Sequence, residues 1–296
     1  MGAVMIKLNS SPPRKWIGVS SRLAPWALAV TAGAVGFAAQ TAAWAGVPSG
    51  PQGRTWASIA KLPNWQGIWQ LDFQHQTRGR GRVFGATQPV LTAKAKAYMA
   101  SVEAKQKSGE YLAPQTANCL PPGMPMIMTQ PYPIEFLFNP GKVVILIEAY
   151  EQERTIYTDG RRHPAADVLT PTFQGDSIGH WEGKTLVVDT VGVLPDRGPG
   201  PHTGAGITQG AADGAINTPG IPHDGNMHII ERIRKVDRNH LRITTTIMDP
   251  AVLAKPWTVT RYYVRIEGNL LEYECEEGNR DSAGPQGRAG ERISGL

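Results

Sequence analysis

From Pro133 onward, apolar and polar positions alternate with a period of two. That is the spacing of side chains on opposite faces of a strand. The segments Ile134-Phe138, Lys142-Tyr150, Arg154-Thr158, Ser177-Trp181, Thr185-Val191, His228-Val236, Leu241-Met248, Trp257-Ile266 and Leu270-Glu277 all carry it. An earlier strand is expected at Asn64-Asp72. Short turn signals join several neighbours: Asp159-Gly160, Glu182-Gly183, Asp237-Arg-Asn239 and Glu267-Gly-Asn269. Tight turns between sequential strands imply antiparallel pairing. No helical crossovers interrupt the series, which argues against a doubly wound α/β fold. A meander this long must hide its edges, which favours an up-and-down barrel over a sandwich. One helix is expected, over Leu91–Gly109: Thr92 caps it, Ala, Lys and Glu fill it, and Gly109 stops it.

Several positions break the pattern. Gly192 to Asn226 is a long Gly/Pro-rich loop with no periodicity, placed between the strands that carry Asp189 and His228. Loops of that length inside compact domains are commonly functional. Asp189 shares parity with Val187 and Val191, Glu231 with Ile229 and Ile233, Glu148 with Leu146, and Arg261 with Val259 and Tyr263. A buried charge is costly unless paired or neutralised. These groups are therefore either ligand-facing residues of a barrel lumen or structural ion pairs, such as Glu231 with Arg154 or Arg261. His228 lies on the opposite parity to Glu231. His223, His163 and His180 sit at loop exits or strand ends, and histidine is suited to acid–base work near neutral pH.

Residues 1–45 hold four basic residues and no acidic one, an apolar stretch from Leu23 to Ala43, and Ala43-Trp44-Ala45 at its end. This is the form of a cleavable secretory signal; the alternative is a retained anchor. Cleavage would remove four of 30 basic residues, leaving 26 against 25 acidic ones, so the mature chain is nearly neutral. The footprint of a nucleic-acid binder is absent, and the cluster Arg78-Gly-Arg80-Gly-Arg82 is expected in a solvated loop. No stable membrane span is expected once the signal is removed. The expected divisions are 1–45 signal peptide, 46–132 N-terminal extension with the first strand and helix, 133–279 barrel core, and 280–296 disordered tail. In an exported protein, Cys119 and Cys275 are expected to form a disulfide; two separate buried thiols are the alternative.

No G-x-S-x-G elbow, Walker loop, dinucleotide fingerprint or haem motif is present. No cofactor is expected; zinc or another divalent metal is the alternative, although the histidine spacing matches no zinc signature. The segments Cys119-Leu-Pro-Pro-Gly-Met, Pro131–Phe136, Arg154–Arg161, Ser177–Thr190, Glu231-Arg232 and Asp249-Pro250 resemble a large uncharacterised family of exported bacterial proteins. That resemblance carries over no catalytic residue. Gly67-Ile-Trp69 is also similar to the opening of the calycin superfamily, the lipocalin-like barrels. This likeness implies that Trp69 closes the barrel bottom beside an arginine and that the cavity takes a small, largely apolar ligand.

The leading expectation is a periplasmic or secreted, cofactor-independent enzyme of lyase, isomerase or hydrolase type. Its substrate would be a small aromatic or polycyclic compound. His228 or His180 would be the general acid or base, with Asp189 or Glu231 orienting it. Arg154, Tyr157, Arg261, His223 and Trp69 would hold the substrate. A non-catalytic lipocalin-like carrier of a small hydrophobic ligand is the rival. The oligomeric state is not legible.

Overall fold

A computed structural model describes residues 50–73, 89–108, 119–195, 221, 223 and 225–275. The expected signal, the Arg78–Arg82 cluster, most of the long Gly/Pro-rich loop and the expected tail lie outside these residues. Nine strands form one closed barrel: β1 (Ile68–Leu71), β2 (Ile134–Asn139), β3 (Lys142–Ile147), β4 (Gln152–Tyr157), β5 (Asp176–Glu182), β6 (Thr185–Val191), β7 (His228–Lys235), β8 (His240–Met248) and β9 (Trp257–Ile266). Each follows its neighbour in sequence, and β1 pairs with β9 to complete the ring. Closure leaves no unpaired edge, which is what the alternating pattern demanded.

Two expectations need correction. The barrel is not wholly antiparallel, because β4 and β5 run parallel, bridged at Ile156↔Ser177 and Tyr157↔Ile178. The reason is arithmetic: a ring of strands that all alternate in direction needs an even number, and this ring has nine. The 158–175 connection makes the crossover, so Asp159-Gly160 does not turn a hairpin into β5. The strand expected at Leu270–Glu277 is also not formed over its described residues. With β1 already on β9, no edge remains to receive it. Leu271 is exposed, while Tyr273 packs against Tyr132 and Tyr150 at ring distances of 5.0 and 4.9 Å.

Alternation places one parity of every strand in the core. Ile145 and Ile147 of β3, Ile229 and Ile233 of β7, Ile243 and Ile247 of β8 and Val259 and Tyr263 of β9 are all buried there. Outside, polar partners line up across strands, as in Thr244–Thr260 and Thr246–Thr258, with oxygens 3.0 and 2.9 Å apart. Trp65, Trp69 and Trp181 form the heaviest part of the core, and Trp65 meets Phe136 and Trp181 at 5.2 Å. Trp69 is fully buried and donates its indole N–H to the Trp65 carbonyl at 2.8 Å. The cation over its ring is Lys235, 5.7 Å from the centroid. The arginine nearby, Arg265, lies across Gly67 instead. A Cβ there would stand 2.7 Å from its Nε, and φ is +111°, so the position requires glycine.

Among the described residues, two α-helices lie outside the ring: α1 (Trp56–Ile59) and α2 (Ala93–Lys107). Thr92 caps α2 by accepting the Ala95 N–H at 3.2 Å, as its sequence implied. The 3₁₀ turn Met126–Thr129 is wholly buried. Tyr263 donates its phenol to the Met128 carbonyl, which anchors that turn to the barrel interior.

Cys119 and Cys275 are joined, 156 residues apart in sequence. A loop of that length is worth about 5 kcal/mol in the chain-entropy model. Replacing both cysteines with serine should lower the unfolding free energy by up to that amount while the barrel persists. Urea unfolding of the two forms, followed by tryptophan fluorescence, checks it.

Candidate functional site

The parity that fills the core also carries charge. Arg154 of β4 and Glu231 of β7 are both sealed from solvent, and Arg154 Nη2 lies 2.5 Å from Glu231 Oε2. The same guanidinium reaches Ser177 of β5 and Thr190 of β6, at 3.2 and 3.0 Å, and those hydroxyls lie 2.8 Å apart. Four strands thus meet in one interior network. Arg261 of β9 is buried on the same face, its charge coupled to Glu231 and Tyr263. Burial lowers its affinity for a proton, and these partners only partly restore it. Burial likewise holds the Tyr263 phenol well above its ordinary pKa.

Arg154 is thus paired directly with Glu231, and Arg261 lies on the same buried face with a favourable charge interaction toward that carboxylate. Among the described residues, Arg154 Nη1 and Glu231 Oε1 are buried without a hydrogen-bond partner. Unsatisfied buried polar atoms are uncommon and costly, and they mark places where a guest or an ordered water completes the bonding. Met124, Ile127 and Met128 belong to the same core, and methionine adapts its shape to irregular neighbours.

A second polar cluster lies on the opposite face of the same strands. Asp189 of β6 points outward and accepts from His228 Nε2. His163, on the 158–175 connection, places its Nε2 3.4 Å from the same Asp189 oxygen; this is a charge contact rather than a well-formed hydrogen bond. Its Nδ1 lies 2.5 Å from Asp176 Oδ1. Burial opposes a charge on His163, but Asp189 and Asp176 outweigh it and raise its pKa. Burial would raise the Asp189 pKa, but the two histidines overcome that and lower it.

The expected catalytic set therefore divides. Glu231 belongs to the interior; Asp189 and His228 meet each other, on the outer wall. His180 also faces outward, 3.2 Å from Glu182, which is held by Arg232 at 2.7 Å. Of the expected substrate-holding residues, Arg154 and Arg261 enter the interior cluster and Trp69 the core. Tyr157 is outside, beneath the Arg161 guanidinium at 3.7 Å from its ring centroid. His223 is buried and accepts from the Gly225 N–H at 3.1 Å. A one-residue step along a strand reverses its face, and Asp189 and Thr190 are adjacent. Sequence reasoning missed Ser177, Thr190 and Asp176. The two hydroxyls were readable from parity, since Ser177 shares a face with Trp181 and Thr190 with Leu186 and Val188.

Among the described residues no group of three or more His, Cys, Asp or Glu side chains is arranged to hold a metal ion. None of their helices is long and apolar enough to cross a membrane. Neither a family model nor a curated protein matches the chain.

Removing one member of a buried ion pair costs about 3–5 kcal/mol, whereas replacing both by apolar groups is often neutral. Glu231→Gln removes the carboxylate that Arg154 bonds and whose charge favours Arg261, so it should destabilise more than Arg154→Met, which leaves Glu231 the nearby charge of Arg261. The double variant Arg154→Met/Glu231→Leu should recover much of the loss. Denaturant midpoints of the four proteins check the order.

Proposed function

We propose that the barrel is an exported small-molecule-binding protein whose lumen receives an apolar compound with an anionic head. The observation that carries this reading is the sealed Arg154–Glu231 pair, whose Arg154 Nη1 and Glu231 Oε1 find no hydrogen-bond partner among the described residues. An entering carboxylate would accept from Arg154 Nη1. An acidic or hydroxyl hydrogen on the guest would meet Glu231 Oε1. Charge-assisted bonds in a dry site are strong and directional. The Met124–Met128 segment and the tryptophans would enclose an aromatic or aliphatic body. Export is supported by the signal-like first 45 residues and by the Cys119–Cys275 bond, which suits an oxidising compartment.

The test uses matched pairs of ligands: an aryl or alkyl carboxylate and its methyl ester, titrated by calorimetry. The acid should bind at least tenfold more tightly, a difference of about 1.4 kcal/mol. Arg154→Met should abolish the preference while keeping the ester's affinity. Equal binding of acid and ester to the unaltered protein would remove the anionic head from the proposal.

One observation favours a second reading, an acid–base enzyme of lyase, isomerase or hydrolase type. Asp189 fixes the His228 ring through Nε2 and leaves Nδ1 as its proton acceptor, and the side chain is 37% exposed. That is the arrangement of an oriented general base. His228→Ala should then leave the fold intact and abolish turnover of the aromatic substrates processed by products of neighbouring genes. Turnover unchanged in that variant would exclude His228 from the chemistry.

A further inference from the structure

The 158–175 connection crosses from β4 to β5 and docks on the end of β6. Thr172 bridges Val193, the Thr172 N–H donates to the Gly192 carbonyl at 3.0 Å, and the Leu194 N–H returns to Thr172 at 2.8 Å. Leu169 packs so closely on Gly192 that a Cβ there would stand 2.9 Å from its Cδ2. The charged attachment is His163. Both ring nitrogens face carboxylates: Nδ1 faces Asp176 of β5 at 2.5 Å and Nε2 faces Asp189 of β6 at 3.4 Å. A neutral imidazole has only one N–H, so it would present a lone pair to one of the two acids. Only imidazolium suits both.

We propose that the 158–175 connection is a pH-read latch, which His163 holds against the outer wall in its charged form and releases when that charge is lost. The charged and titratable surroundings are few. From β5 His163 faces Asp176, from β6 it faces Asp189, and beyond Asp189 stands His228 of β7. On its own segment Arg161 is bound to Asp159 at 2.7 Å and covers Tyr157 of β4. Arg161 already has an acid partner, so it does not replace His163.

The limits of the holding range follow from the directions of the two shifts. His163 has a raised pKa in the folded protein. Its contribution is complete below the unfolded value of about 6.5 and is lost as pH rises through the folded one. Asp189 has a lowered pKa. Its contribution is complete above the unfolded value of about 3.9 and is lost as pH falls through the folded one. The latch is therefore held from mildly acidic to about neutral pH and opens in alkali. Because it lies on the outer wall, it is separate from the lumenal binding proposed above.

Hydrogen exchange on the full chain tests the latch, with rates converted to protection factors so that the intrinsic effect of pH is removed. The Thr172 and Leu194 amides should lose at least tenfold protection between pH 6 and pH 9, while the Ile145 and Ile243 amides of the barrel stay unchanged. His163→Gln should show low, pH-independent protection at Thr172 and Leu194. His163→Lys, which keeps a cation across this range, should retain protection at pH 9. A flat profile in the unaltered protein overturns the latch even if neither variant folds. A Gln variant that follows the unaltered protein also overturns it.

Discussion

The structure depends on a carboxylate and a guanidinium that meet where no water reaches them. Taking two charges out of solvent costs several kcal/mol each, and only close geometry with further hydrogen bonds repays it. Here Arg154 of β4 reaches Ser177, Thr190 and Glu231 on the three strands that follow it. The pair can persist only if the ring around it stays shut. The network in turn restricts how those four strands can register, since a slip of one residue would carry an ion to the wrong face.

The same three strands, β5 to β7, serve two unrelated surfaces. Inward they present Ser177, Thr190 and Glu231; outward they present Asp176, Asp189 and His228. Neighbours in sequence thus belong to different chemistry. The interior set lies among apolar groups and is suited to holding something still. The exterior set is partly wet, couples two imidazoles through one carboxylate, and answers to protons. Treating the outliers of the hydrophobic pattern as one site merges two environments with different dielectric and different access.

Much of the fold was legible, because closed sheets impose a strict alternation and the turn residues are explicit. Trp257, Val259 and Tyr263 announce a buried face without ambiguity, and Thr92 announces the start of α2. The disulfide was legible from two cysteines in a chain with a signal-like start. The parallel pair was not. Nothing in Asp159-Gly160 tells a hairpin from the first step of a crossover, and the odd strand number emerges only when β1, far away in sequence, is seen to fill the place beside β9. The candidate site was half legible for a related reason. Parity correctly grouped Glu231 with the interior isoleucines and set His228 opposite. For Asp189 parity is uninformative: β6 is apolar on both faces, with Val187 and Val188 each buried. Asp176 and His163 pair through a connection whose path has no periodic signature.

The ring is unevenly stitched. β1–β2 and β4–β5 are each bridged at two residue pairs, while every other junction has at least four. These two thin junctions flank β2, β3 and β4, which are joined to one another along their full lengths. The wall is therefore two panels rather than nine equal staves. Parting it at either thin junction breaks the fewest backbone hydrogen bonds, and the smaller panel carries Arg154 on its inner face. The ligand proposed above would break the fewest bonds by entering there, and the panel that parts bears Arg154, one of the groups that would hold it.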